Sequence, residues 1–198
     1  HLQTSMRAKK EETDMAWLNL GEILRVHAKN YPDKLAVKDW RGKTLTYSEL
    51  ESRTSRLANG LLRMGLRKSD RVAVMLYNCT EFVEIMCAFA KIGLVVVPVN
   101  WRYIEKDIEY VVNNSDSKAM IVGEDFIEVV NPIRPNFEKV WKKNYVVVGS
   151  ATIEGYGNYE KLIASSPESK PDVEVDNEEA WMQIYTSGTT GIPKGVVR

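Results

Sequence analysis

Apolar residues recur along this chain in two alternating rhythms. Over residues 18–29, Leu20, Ile23, Leu24 and Val26 fall on one stripe of a predicted helix. A short apolar stretch at 35–37 predicts a strand, and Arg41-Gly42 turns it back. Thr46, with Glu49 three residues on, has the spacing of a capping box, in which each side chain satisfies the other's backbone N–H. The helix that follows places Leu50, Leu57, Leu61 and Met64 inward, and Gly65 closes it just past the C-cap. The run at 72–76 is apolar without a break, as for a strand covered on both faces. Thr80 opens another amphipathic helix through Phe82, Ile85, Met86 and Phe89, and Gly93 stops it. Residues 95–99 predict a buried strand, 105–113 a helix with Ile108, Val111 and Val112 inward, and 119–122 and 145–148 two more strands.

This order predicts an α/β fold, a mostly parallel sheet flanked by helices on both faces. The polar segment 165–179, SSPESKPDVEVDNEE, reads as a linker or a surface crossing whose acids form a solvated face. Residues 181–185 then predict a strand and 195–197 the start of a second, with a loop between them. The expected organisation is an appended scar at 1–5 ahead of Met6, an α/β subdomain at 6–164, the linker at 165–179, and at 180–198 a strand plus loop that begins the next part.

Composition changes this picture little. The chain is 44% hydrophobic and 27% charged, and Lys+Arg and Asp+Glu are each 27, giving a formal net charge of zero. A nucleic-acid binder carries a basic excess, and none is present. No apolar run approaches the roughly 20 residues of a membrane-spanning helix, and HLQTSM lacks a signal peptide's apolar core. The two cysteines, Cys79 and Cys87, would lie about 12 Å apart along one helix. A disulfide needs its Cα atoms within about 7 Å. They therefore read as reduced thiols of a cytoplasmic protein. The two histidines, His1 and His27, have no G-x-S-x-G partner, and no His/Cys/Asp cluster has metal-ligand spacing.

The stretch YTSGTTGIPKGVVR at 185–198 carries the chemistry. Gly188, Gly191 and Gly195 let the backbone bend and bring its N–H groups toward an anion. Thr186, Ser187, Thr189 and Thr190 add hydroxyls, and Lys194 adds a cation for a polyphosphate. A turn alone needs neither the lysine nor so many glycines. The P-loop pattern G-x-x-x-x-G-K-[ST] does not fit: Pro193 precedes Lys194, Gly195 follows it, and a P-loop leads into a helix.

Residues 186–195, TSGTTGIPKG, resemble without a departure the phosphate-binding signature of the adenylate-forming superfamily: acyl-CoA synthetases, peptide-synthetase adenylation domains and firefly luciferase. Residues 45–50, LTYSEL, resemble its first core motif. Ala90-Lys91-Ile92-Gly93, followed by Val97-Pro98-Val99-Asn100, resembles its second. Val99-Asn100-Trp101-Arg102 is similar to the stretch found in fatty-acyl and aryl-CoA ligases, though the residues fit a core aromatic and a surface salt bridge equally well.

The resemblance implies the N-terminal part of the large domain of an ATP-dependent acyl-CoA ligase. A carboxylate attacks the α-phosphate of Mg2+-bound ATP to give an acyl-adenylate and pyrophosphate, and the CoA thiol then displaces AMP. Thr186, Ser187, Gly188, Thr189, Thr190, Gly191 and Lys194 are the expected phosphate-binding residues, with no catalytic residue and no metal ligand in this stretch. The adenine contacts, a magnesium-binding glutamate and a mobile lysine belong to the family's later motifs. The expected partner is thus the remainder of the same polypeptide, and the chain alone is expected to be inactive. The end at Arg198 fits a tryptic nick or a chosen boundary. A homodimer is left open. So are other adenylate-forming activities (acyl-AMP ligase, luciferase-like, amino-acid adenylation) and a non-catalytic assembly fragment.

Overall fold

The computed structural model describes residues 20–176, 178–186 and 194–198. The expected scar at 1–5 lies outside them.

Helix α1 (Leu20–Asn30) leads into a hairpin of β1 (Leu35–Lys38) and β2 (Thr44–Thr46), antiparallel, with Val37 opposite Leu45. Thr46 ends β2 and N-caps α2 (Tyr47–Arg63), and both halves of the capping box are present. Then follow β3 (Arg71–Met75), α3 (Thr80–Ile92), β4 (Val95–Pro98), α4 (Glu105–Asn114) and β5 (Ala119–Gly123). The chain continues through α5 (Ile127–Ile133), β6 (Tyr145–Val148), β7 (Gly157–Asn158) and α6 (Tyr159–Ala164). A final antiparallel hairpin joins β8 (Gln183–Thr186) to β9 (Lys194–Val197).

The centre is a five-stranded sheet in the order β4-β3-β5-β6-β7, parallel throughout. Successive side chains of a strand point to opposite faces, and the core divides accordingly. Val72, Val74, Ile121 and Val146 pack with Leu57 and Leu61 of α2, Ile85 and Phe89 of α3, and Ile163 of α6. Ala73, Met75, Met120, Val122 and Val147 pack on the other face with Ile108, Val111 and Val112 of α4 and Val130 of α5. Each fully buried leucine or isoleucine contributes about 1.5–3 kcal/mol. Gly93 closes α3 with φ +66°, a left-handed conformation that other residues adopt at a cost. Pro98, which has no N–H to donate, ends the edge strand β4.

The predicted α/β class and most strands and helices match this arrangement. The stripe predicted for α1 does not. Leu20, Ile23 and Val26 are 37%, 41% and 37% exposed, while Leu24 is 5% exposed. The helix lies outside α3 rather than on the sheet. It buries Gly21 and Leu24, with Gly21 set closely against Lys91 of α3. Met64 is only partly buried. Helix α3 is thus covered twice, by the sheet on one side and by α1 and the first hairpin on the other, where Leu24, Leu45, Leu50 and Cys87 meet.

Among the described part of 165–179, the chain crosses the surface of α2. Asn59 Nδ2 donates to the carbonyls of Pro167 (2.9 Å) and Ser169 (2.8 Å). Arg56 donates to the Ser166 carbonyl at 2.9 Å, and Lys68 to the Glu174 carbonyl at 3.0 Å. No described helix is long and apolar enough to cross a membrane.

Candidate phosphate-binding hairpin

The hairpin β8–β9 brings the two ends of the glycine- and hydroxyl-rich stretch together. Thr186 pairs with Lys194, Tyr185 with Gly195 and Ile184 with Val196. Directly opposed residues of an antiparallel pair share a face, so the Thr186 hydroxyl and the Lys194 ammonium leave the same side of the hairpin. Both residues are exposed, and Lys194 forms no ion pair with a described residue. The other expected phosphate contacts, Ser187, Gly188, Thr189, Thr190 and Gly191, lie outside the described residues.

The hairpin is joined to the edge of the parallel sheet. Val96 of β4 bridges Met182 in parallel, and its N–H donates to the Trp181 carbonyl at 3.0 Å. Inward of Thr186, β8 turns Gln183 and Tyr185 into the protein, 7% and 8% exposed. Arg71 Nε, at the start of β3, donates to Gln183 Oε1 at 2.7 Å. Gln183 Nε2 donates to the Tyr185 hydroxyl at 3.0 Å, and that hydroxyl donates to Asn114 Oδ1 at 2.7 Å. Tyr185 also meets Tyr110 of α4 edge-on, with ring centroids 6.4 Å apart. Burial pushes the Tyr185 phenol up from its ordinary pKa, so it keeps its proton at neutral pH.

Gly195 serves packing here, a role beyond the backbone freedom expected of it from sequence. A Cβ at this position would stand 2.8 Å from Gln183 Nε2 and 3.0 Å from Tyr185 Cζ. The absent side chain is the space that Gln183 and Tyr185 occupy. The sequence pattern missed these two residues as functional candidates, because Arg71 and Asn114 stand far from them along the chain.

The structure also bears on the stretch after β4, where a core aromatic is one of the readings the sequence leaves open. Trp101 is 42% exposed and therefore no core aromatic. Arg102 stacks over its ring at 4.6 Å, and Tyr77 meets it edge-on at 5.3 Å. The Arg102 N–H donates to Asn100 Oδ1 at 3.0 Å.

Among the described residues, neither thiol is set up as a nucleophile. Cys79 and Cys87 are free thiols, and burial pushes both up to about 11, away from the thiolate that attacks. His27 Nδ1 lies 2.9 Å from the Ile23 carbonyl, and its ring packs beside Tyr47. Among the described residues no group of His, Cys, Asp and Glu is placed to hold a metal ion, so none of them is assigned to magnesium.

The chain is 35% identical over 186 residues to the 3-oxocholest-4-en-26-oate–CoA ligase of Rhodococcus rhodochrous, covering 91% of this chain and 33% of that protein. It is 34% identical to the fatty acid–[acyl-carrier-protein] ligase ScoC of Streptomyces coeruleorubidus, covering 86% of this chain and 31% of that one. The inhibitor-bound N-terminal domain of FACL13 from Mycobacterium tuberculosis superposes with a TM-score of 0.80 at 30% identity, over 91% of this chain and 44% of that one. The chain thus spans about a third of the length of these curated relatives. Residues 24–198 match the AMP-binding enzyme family, and the chain belongs to that family.

Proposed function

We propose that the chain is the N-terminal portion of an ATP-dependent acid–thiol ligase. The whole protein activates a carboxylate as its acyl-adenylate and transfers the acyl group to the thiol of CoA. Residues 180–198 begin the part of the large domain that holds ATP. Thr186, Ser187, Gly188, Thr189, Thr190, Gly191 and Lys194 bind its β- and γ-phosphates. The observation that carries this reading is the cross-strand pairing of Thr186 with Lys194, which puts a hydroxyl donor and a cation with no ion pair among the described residues at one hairpin end.

The chemistry asked of these residues is positioning and electrostatic stabilisation. As the carboxylate attacks the α-phosphate, negative charge moves onto the departing pyrophosphate, and a fixed ammonium there lowers the barrier. No residue of the hairpin needs to act as a nucleophile or base. Bound magnesium would neutralise phosphate charge, and its ligands are expected beyond this stretch. The free thiols of Cys79 and Cys87 fit a reducing compartment, the cytoplasm.

The test is single-turnover measurement of the two half-reactions in the full-length protein. A charge-assisted hydrogen bond is worth about 1.5–3 kcal/mol. Lys194→Ala should therefore slow adenylate formation about 10- to 150-fold. It should leave thioester formation from preformed acyl-adenylate nearly unchanged, because pyrophosphate has gone by then. Equal losses in both steps would overturn the assignment. The similarity to ScoC favours a carrier-protein thiol as the second reading of the acceptor. AMP release that requires carrier protein and ignores CoA would select it.

A further inference from the structure

We propose that Tyr185 and Gln183 are positioning residues for the phosphate-binding segment, tied through Arg71 and Asn114 to the parallel-sheet body; this rests on the phosphate reading above. The chain of hydrogen bonds has one direction, and Arg71 sets it. A guanidinium only donates, so Gln183 must present Oε1 to Arg71 Nε. Its Nε2 is then left to donate to the Tyr185 oxygen. The single phenolic proton is left for Asn114 Oδ1. Neither Gln183 nor Tyr185, both buried, can turn its polar end without breaking one of these bonds.

Two strands are fixed by this arrangement. Tyr185 immediately precedes Thr186 on β8. Across the hairpin, the Gln183 and Tyr185 side chains fill the place where a Cβ of Gly195 would stand, beside Lys194. The residues on both sides of the phosphate-binding stretch are therefore referenced to the start of β3 and the end of α4. A ligand charge must be met by donors already in place, since a donor that must first be ordered gives back part of its binding energy. The chain contributes through Thr186 and Lys194 and need not touch the nucleotide.

The experiment is carried out in the full-length protein with carboxylate-dependent pyrophosphate exchange, thioester formation from preformed acyl-adenylate, and thermal melting. Tyr185→Phe keeps the ring and removes the central hydroxyl. Losing such a bond should raise the KM for ATP in exchange about 5- to 10-fold, with thioester formation changed less than about 2-fold. Asn114→Ala removes only the final acceptor. Asn114 is exposed, so this variant keeps the proposal testable if Tyr185→Phe folds poorly. Because both changes break the same bond, the double variant should be no worse than the worse single one. Additive losses, or equal losses in both half-reactions, would mean general loosening and would overturn the proposal. An unchanged KM in both variants, beside a slowed Lys194→Ala, overturns it and spares the phosphate reading. No effect from any of the three overturns both.

Discussion

Hairpin β1–β2 is fastened by charge. Arg41 bonds Asp39 at 3.0 Å and Glu81 at 2.7 Å, and Lys43 bonds Glu81 at 2.8 Å and stands 3.9 Å from Glu84. Glu84, fully buried, also accepts from Arg53 at 2.8 Å and from the Tyr159 hydroxyl at 2.7 Å. Arg53 reaches on to Glu160 of α6. Hairpin β8–β9 is fastened through an amide, a phenol and a second amide, with a guanidinium at one end and no carboxylate in the chain. The first arrangement suits a clamp that must bridge four separate elements. The second suits the polyanion site proposed above, since none of its hydrogen-bonded links is a carboxylate that would oppose the ligand's charge. A fold can thus anchor two similar hairpins by opposite electrostatics, according to what each must face.

The largest way to sharpen this contrast is to remove the shared acceptor. Glu84→Ala leaves the Arg53 guanidinium with Glu160 alone and the Tyr159 hydroxyl buried without its acceptor. Breaking one partner of a buried pair costs about 3–5 kcal/mol. Urea unfolding should show a loss near the lower end, because Arg53 keeps Glu160. Amide exchange should quicken over 35–46 and stay unchanged over 183–186. Equal acceleration in both hairpins would break the comparison.

Acid is the next lever. Burial alone would raise the Glu81 carboxyl, but Lys43, its own helix-start N–H and neighbouring groups outweigh it and hold it at about 2, against 4.5 unperturbed. A depressed carboxylate stabilises the fold fully above the unfolded pKa, and that stability is lost as pH falls through the folded one. The contribution, on the order of 2 kcal/mol after allowance for solvent screening, should therefore disappear between pH 4.5 and about 2. Glu81→Gln should flatten that limb of the stability–pH curve, read by thermal melting. Gln183 and Tyr185 are held by a guanidinium and an amide, with no carboxylate among their hydrogen-bond partners, so exchange in β8 should not follow it.

The contrast was not legible in the sequence, and the reason is physical. Local signals carried the fold: the unbroken apolar run of β3, the capping box at Thr46 and the glycine stops at Gly65 and Gly93 each depend on neighbours a few positions apart. Glu84 and Glu160, Arg53 and Tyr159 meet only because helices pack, and no periodicity records that. The stripe of Leu20, Ile23 and Val26 misled because an outer helix resting on another helix needs less apolar surface than one resting on a sheet. Helices α5 and α6 were missed as short pieces of 7 and 6 residues, the former carrying Pro132 inside it. At the candidate site, composition and spacing pointed to the exposed ends, Thr186 and Lys194. Gln183 and Tyr185 looked like ordinary strand residues until Arg71 and Asn114 stood beside them.

The smallest lever tests whether charge or local capping holds the first hairpin. Thr46 belongs to both structures, as the last residue of β2 and the N-cap of α2. Its Oγ1 accepts from the Glu49 N–H at 3.3 Å, and Glu49 Oε2 accepts from the Thr46 N–H at 2.8 Å. Thr46→Ala removes the first bond and leaves the second, so the Glu49 N–H must turn to water, which is accessible at this exposed helix start. Substituting an N-cap hydroxyl by alanine costs about 1 kcal/mol. Urea unfolding should report that loss, and exchange should quicken in the first turn of α2, near residues 48–50, while β1 remains protected. Thr46→Ser keeps the hydroxyl and should recover most of the stability. If Thr46→Ala instead costs as much as Glu84→Ala and opens β1 as well, the cap and not the ion network is what fastens the hairpin. The two hairpins would then differ only in their neighbours.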